Sequence, residues 1–242
     1  MSLPVFVHPE LGGATVGSLL SLTGDEGRHA AVVRRIRRGE QIELVDGAGI
    51  RVTGEVDETS KSGLVARVLD VRYEARPTPH ITVVQAIPKG DRGELAVEVL
   101  TEIGVDVIVP WAASRSVGVW RGERAAKSLA KWRSTAREAA KQSRRSWFPE
   151  VREMASTADV AALLADADVA VVLHEDARTP IPSLGEARTA VLVVGPEGGI
   201  APEELDAFAA GQAVRLGREV LRTSTAGVAA VAALLSGSPR WA

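Results

Sequence analysis

The sequence predicts an α/β protein in two parts: a small β-barrel, then a larger domain in which helices flank a parallel sheet. Three observations predict it. Between Val5 and Val71, short stretches of alternating apolar and polar residues are separated by turn residues, the pattern of half-buried strands. From His80 onward, compact apolar runs alternate with helical stretches, the rhythm of strands joined by crossover helices. Near the C-terminus, Val191 to Val194 and Ala213 to Leu216 stop at glycine and lead into helices. That arrangement places a crevice at the carboxyl ends of a parallel sheet.

In the first part, Val5 to Val7 reads as a strand, Thr23-Gly24-Asp25-Glu26 as a helix start, and His29 to Ile36 as a short helix. The stretches Gln41 to Val45, Ile50 to Val56 and Leu64 to Val71 alternate and read as strands, with a turn at Asp46-Gly47. Residues 1–73 are assigned to the barrel. Two prolines in YEARPTP, from Tyr73, resist regular structure, so the linker is placed at 74–79.

Residues 80–242 make the second domain. Ile81 to Ile87 is a buried strand, and Glu94 to Ile103 a helix with Leu95, Val99 and Ile103 on one face, ended by Gly104. Val105 to Val109 is a strand that Pro110 stops. Glu123 to Arg144 is a long helix with Trp132 and the alanines inward and its cations outward. Thr157 can cap a helix to Ala165, and Val169 to Leu173 is the next strand. After Val194 comes Gly195-Pro196-Glu197-Gly198-Gly199, a turn whose glycines let backbone approach a ligand. Pro202 then occupies a first helical position, with Glu203 and Glu204 where the helix dipole favours negative charge. Ala201 is a poor cap, so proline and dipole carry that start. Ala226 to Leu235 is apolar nearly all round, as in a helix buried in a core or an interface.

Composition removes several function classes. The 242 residues contain no cysteine, which excludes disulfides, thiolate zinc sites and cysteine nucleophiles. His8, His29, His80 and His174 are scattered without metal-ligand spacing, so no metal is expected. No apolar run approaches the roughly 20 residues that span a bilayer, and the N-terminus lacks a signal-peptide pattern. A soluble, cytoplasmic protein without a membrane partner is expected. Net charge is −2, yet the cations are segregated. Arg28, Arg34, Arg35, Arg37 and Arg38 crowd one stretch, and the segment from Arg115 to Arg145 is strongly cationic. Such clustering steers a polyanion whatever the total charge; a merely solvated charged face remains the alternative.

The pattern GPEGG before a proline-initiated acidic helix, then LGREVLRTSTA before an apolar helix, resembles the SPOUT superfamily of knotted methyltransferases. KGDRGELAVEVLTEIGVDVIVP from Lys89, Arg115-Ser116-Val117, EAAKQSRRSWFPEV from Glu138 and RHAAVVRRIRRGE from Arg28 extend the match over nearly the whole chain. The branch resembled is the bacterial 16S ribosomal RNA uridine-N3 methyltransferases. This resemblance implies a PUA-like RNA-binding barrel and a methyltransferase domain with a deep trefoil knot. It implies S-adenosylmethionine as cofactor, 16S ribosomal RNA or the assembled small ribosomal subunit as partner, and a homodimer with the target base where two subunits meet.

The residues so implied at the cofactor are Leu173, His174 and Glu175; Gly195, Pro196, Glu197 and Gly198; Leu216 and Gly217; and Leu221, Arg222, Thr223 and Ala226. On this placement a bulky residue at Gly198 would set a Cβ against the ligand. Methyl transfer to a uracil N3 needs the nitrogen placed in line and its departing proton's charge stabilised. Arg222 is the first catalytic candidate and Arg145 the second, as phosphate clamp or base positioner; either could instead be a structural ion pair. The RNA-facing set is Arg34, Arg35, Arg37, Arg115, Arg137, Lys141, Arg144 and Arg145. Glutamate at Ala229 or Val231 is expected to give a destabilised monomer.

The chain departs from the family pattern at several positions. Relatives commonly read LRTETA where Ser224 stands, so no carboxylate base is available there. Ser114 replaces a common glutamate, Arg144 a common glycine, and Pro4-Val5 an expected arginine. Two other classes stay open on the residues alone: a phosphate-binding enzyme using GPEGG, and a non-catalytic RNA-binding protein. Against the first, no GxGxxG or GxxxxGK[ST] follows a strand.

Overall fold

The structure is a computed structural model that describes residues 3–118 and 120–241. The chain divides into two compact units. One runs through Arg76 and takes in Ala140–Phe148; the other holds Pro77–Ala139 and the chain from Pro149. Among the described residues no helix is long and apolar enough to cross a membrane.

The first unit contains β1 (Val5–Val7), β2 (Leu19–Leu22), α1 (Gly24–Arg28), a π-helical turn (His29–Val33), β3 (Gln41–Val45), β4 (Ile50–Ser60) and β5 (Gly63–Tyr73). The sheet order is β1-β3-β4-β5-β2; β1 pairs parallel with β3 and the other pairs are antiparallel. Phe6, Leu11, Leu22, Ile42, Leu44, Val52, Leu64 and Val68 form its core. Strand β2 escaped the sequence reading because an exposed Leu19 stands on its outer face, so LLSL shows no apolar alternation. The expected helix from His29 is a π turn instead. Arg34 donates its N–H to the carbonyl five residues back, His29, and Arg35 breaks the spiral with φ of 54°. Val32 and Val33 are left exposed beside the arginines.

Residues 140–148 were expected in the second domain and belong to the first unit for identifiable reasons. Lys141 is buried and donates to Glu26 at 2.6 Å, while the other Glu26 oxygen accepts the Val7 N–H. Gly49 donates to the Ser146 carbonyl, Phe148 to Gly47, and the Trp147 indole to the Glu74 carbonyl. Arg51 donates to Glu43, Glu74 and the Arg144 carbonyl. Burial pushes the Glu74 carboxyl up, but hydrogen bonds from Ser146 and Arg51, with the Arg51 and Arg72 charges, hold it below its usual range. A depressed carboxylate stabilises the fold above its unfolded pKa and stops doing so as pH falls through the folded value. This unit is therefore expected to lose stability below about pH 4, earlier in wild type than in Glu74→Gln relative to each protein's own neutral-pH value, as a urea series across pH would show.

The second unit contains β6 (His80–Ala86), α2 (Arg92–Ile103), β7 (Val107–Trp111), α3 (Glu123–Gln142, its last residues in the first unit), β8 (Glu150–Val151), α4 (Thr157–Ala165), β9 (Val169–Leu173), β10 (Thr189–Val194), α5 (Pro202–Ala207), β11 (Gln212–Val214) and α6 (Thr223–Leu235). All pairs in the sheet β11-β9-β10-β6-β7-β8 are parallel. A parallel sheet must be covered on both faces. Residues of α2, α3 and α6 pack one side, with Val97, Leu100, Trp132, Ala230 and Leu234; α4 and α5 cover the other, with Val160, Leu164 and Phe208.

Four local expectations change. The buried face of α2 is Gly93, Ala96, Val97, Leu100 and Thr101, and Leu95 is exposed. Gly93 packs against Trp132 of α3, and α6 approaches closely: a Cβ on Gly227 would lie 3.2 Å from Leu100 and 3.3 Å from Val194. Pro110 lies inside β7. Its missing N–H costs no ladder bond where the outer edge is bridged through the Pro110 carbonyl, which accepts from Ala155 at 2.8 Å. Ser156, not Thr157, caps α4, in a capping box with Asp159. Helix α6 starts at Thr223, with Val231 buried in this unit's own core.

Candidate active site

Strands β9, β10 and β11 are neighbours with level ends: Val214 pairs with Leu173, and Val193 with Val172. Their following loops, the first turn of α6 and Arg92 of α2 enclose a cavity of about 460 Å³. Every residue expected at the crevice lines it: Leu173 to Glu175, Gly195 to Gly198, Leu216 and Gly217, and Leu221, Arg222, Thr223 and Ala226.

The glycine loop is held from several sides. Gly199 donates to the Pro196 carbonyl at 2.9 Å and takes φ of 74°, a conformation that suits glycine. Gly195 lies so close to Ile200 that a Cβ would fall 2.7 Å from its Cγ1. Glu197 Oε1 accepts the Lys89 N–H at 3.2 Å, so this acid ties two loops together. The start of α5 uses Pro202 as expected, plus a contact the sequence did not announce. Buried Glu204 accepts N–H bonds from Ala201 at 3.0 Å and Ser114 at 2.7 Å, satisfying the amide of the N-cap residue and anchoring the Arg115 loop.

Gly198 departs from the expected geometry. A Cβ there would lie 3.1 Å from both the Cβ and the carbonyl oxygen of Arg115, so it meets the neighbouring loop rather than a ligand. Arg115 Nη1 also donates to the Gly198 carbonyl at 3.4 Å. Gly198→Ala is expected to cost about 1 kcal/mol of stability in a urea titration by displacing this loop. An unchanged unfolding free energy would show that the loop moves freely.

Arg222 is the residue before α6, exposed at the cavity; among the described residues no hydrogen bond or ion pair engages its guanidinium. His174 Nδ1 accepts the Asp176 N–H at 3.3 Å, which orients the ring within its own turn. Ser224 is buried in the first turn of α6. The sequence reading missed Arg92, Arg215 and Arg218 as cavity residues. Their signal was partly present, since Arg92 and Arg218 lie inside the quoted motifs and Arg215 directly precedes one, but nothing in a motif says which side chains turn inward.

Arg145 is not among the cavity residues. It belongs to the first unit, half-buried, with Nε donating to the Trp147 carbonyl at 2.8 Å. Arg34, Arg35, Arg37, Arg115, Arg137 and Arg144 are exposed. Lys141 must be withdrawn from the RNA-facing set, because its ammonium is buried on Glu26. Among the described residues no group of three or more His, Cys, Asp or Glu could hold a metal ion.

Comparisons with known proteins agree with this geometry. Residues 75–235 match the RNA methyltransferase domain family, and residues 22–69 the RNA methyltransferase PUA domain family. The chain is 46% identical over 234 residues to ribosomal RNA small subunit methyltransferase E of Mycobacterium bovis, covering 93% of this chain and 89% of that protein. It is similar to the crystal structure of the Neisseria gonorrhoeae methyltransferase E bound to S-adenosylmethionine, with TM-score 0.83, 30% identity and coverage of 97% and 98%. A Legionella pneumophila methyltransferase solved with bound S-adenosylmethionine superimposes with TM-score 0.85 at 28% identity, covering 98% of each chain. With its strand-end cavity, its PUA segment and relatives matched along almost their full length, the chain belongs to the RNA methyltransferase family, in the ribosomal RNA small subunit methyltransferase E branch.

Proposed function

We propose that this protein methylates N3 of a uridine in 16S ribosomal RNA, using S-adenosylmethionine held in the cavity at the ends of β9, β10 and β11. The observation that carries the proposal is that cavity, in which the loops of three neighbouring parallel strands meet Arg222, whose guanidinium has no partner among the described residues. Its size lies in the range of small-molecule sites. Apolar Leu173, Ile200, Leu216 and Leu221 offer a surface for the adenine, and loop N–H and C=O groups can read its edge. Arg92, Arg215 and Arg218 suit a carboxylate, and Glu175, Glu197 and Glu219 a cationic sulfonium and ammonium. The residues present fit the cofactor.

The cofactor supplies an electrophilic methyl group. The chain's own work is to place N3 in line and to stabilise charge on the uracil oxygens as the N3 proton leaves. Arg222 is the group for the second task. Its charge and planar fork suit a carbonyl edge that is becoming anionic. Ser224 offers no carboxylate and is buried, so general-base duty does not fall to that position.

The three loops are read as the segment that forms a trefoil knot in the SPOUT superfamily, and the functional unit as a cytoplasmic homodimer. Val228, Ala229, Ala232 and Ala233 leave a small-residue surface on α6 that is not fully buried. Ala229→Glu is the proper probe of an interface there. Val231→Glu would disrupt the subunit's own core and cannot report on dimers.

The RNA-contacting residues are read as Arg34, Arg35, Arg37 and Arg144 in the first unit and, separately, the exposed Arg115 and Arg137 in the second. Each neutralised phosphate contributes about −0.7 to −0.9 to the slope of log K against log salt. Replacing Arg34, Arg35 and Arg37 by alanine is expected to shallow that slope by about 2. An unchanged slope would mark them as solvated surface. The proposal as a whole is tested by calorimetry of S-adenosylmethionine binding and mass spectrometry of 16S ribosomal RNA from a deletion strain. Absence of binding, or an unmodified target in both parent and deletion strains, would overturn it.

A further inference from the structure

A second pocket of about 250 Å³ lies in the second unit, beside the first turn of α2. Its walls include Asp91, Gly93 and Glu94 from that turn, and Trp120, Arg124, Ser128, Lys131 and Trp132 from α3 and the segment before it. The indoles of Trp120 and Trp132 stand edge to face, 4.9 Å between centroids at 79°. Trp132 is 2% exposed and lines the pocket with its indole. The Ser128 hydroxyl and the Arg124 guanidinium are without a hydrogen bond or ion pair among the described residues. The open N-terminus of α2, a 12-residue helix, adds backbone donors.

The electrostatics select among ligands. Arg124 and Lys131 are balanced by Asp91 and Glu94, and Lys131 is paired to Glu94 at 2.9 Å. A bare phosphate would gain little from a pocket without net charge. A flat, neutral, hydrogen-bonding group gains from the aromatic wall, the spare donors and the acid. The pocket is also coupled to the cofactor cavity. Asp91 and Gly93 line one while Arg92, between them, lines the other, and the same loop is held to the cavity by the Lys89 bond to Glu197.

We propose that this pocket receives an unpaired nucleobase of the substrate RNA near the methylated nucleotide, stacked against Trp120, with Arg124 reading its edge. Recognition of splayed single-stranded bases by aromatic platforms and edge contacts is how proteins read RNA sequence. The proposal rests on the methyltransferase reading above and deepens it. It makes α2 the element that registers the strand against the methyl donor.

The test uses full-length protein, S-adenosylmethionine and small-subunit ribosomal RNA from a strain lacking the enzyme. Trp120→Ala is expected to raise the KM for RNA about tenfold, with kcat and cofactor affinity unchanged, and Trp120→Phe to restore most of it. Ser128→Leu fills the pocket from an incompletely buried position, so it decides the matter even if Trp120→Ala folds poorly. Wild-type KM in Ser128→Leu, with cofactor affinity intact, would overturn the proposal. So would an unchanged KM on naked RNA with a raised KM on assembled subunits, which would assign the pocket to a ribosomal protein. Failure of the wild type to bind S-adenosylmethionine would instead overturn the methyltransferase reading, a result distinct from either.

Discussion

Arg222→Ala is expected to lower kcat for ribosomal RNA methylation by about 10²- to 10³-fold, the usual consequence of removing one preorganised stabiliser of developing charge. Cofactor affinity should change little. The guanidinium has no protein partner among the described residues and is exposed, so thermal stability should be unaffected. Arg222→Lys separates charge from shape. Lysine keeps the cation but loses the planar, two-toothed donor, so a turnover between wild type and alanine is expected. Single-turnover rates with saturating cofactor measure the chemical step directly. If Arg222→Ala loses cofactor binding and melting temperature together while the single-turnover rate at saturation stays normal, the residue supports the loop and the catalytic assignment fails.

The largest stability effect is expected at the other end of the second unit. Arg240 and Asp106 are both more than nine-tenths buried and paired at 2.6 Å. Arg240 also donates to the carbonyls of Pro79 and Gly104, and Asp106 Oδ2 accepts the Ile81 N–H at 2.8 Å. One cation thereby ties the C-terminal segment to the start of β6 and the entry of β7. Removing one partner from a buried pair leaves an uncompensated charge, so Arg240→Ala is expected to cost about 3–5 kcal/mol in denaturant unfolding. The double variant Asp106→Asn with Arg240→Ala should recover part of that loss, because no charge is then stranded. A loss below about 1 kcal/mol, the value of an exposed pair, would mean the C-terminal segment detaches in solution.

These two arginines show where sequence information ended. Arg222 was legible because it lies in the LGREVLRTSTA segment that carries the family resemblance and precedes an apolar helix. Arg240 carried no local signal. Its partner lies 134 positions away, and only the folded sheet brings a C-terminal arginine over Asp106. The same distinction separates the two cations of one helix. Arg137 and Lys141 occupy successive turns of α3 and look alike in sequence, but Lys141 is buried on Glu26, 115 residues earlier.

By itself the sequence determined the α/β class, most strand positions and the crevice loops, because apolar periodicity and glycine placement are local constraints on a chain; the family came from the resemblance of its motifs. Burial shifted the expected face of α2, leaving Leu95 exposed while Gly93 packs against Trp132 of α3 and Ile103 stays against the core. It aimed the absent Cβ of Gly198 at Arg115 and drew residues 140–148 into the first unit. Each of these is a contact between segments far apart in the chain. Its free energy depends on which surfaces meet, and no local pattern encodes that. Tertiary structure alone therefore decided which cations are free to act and which are bound into the fold.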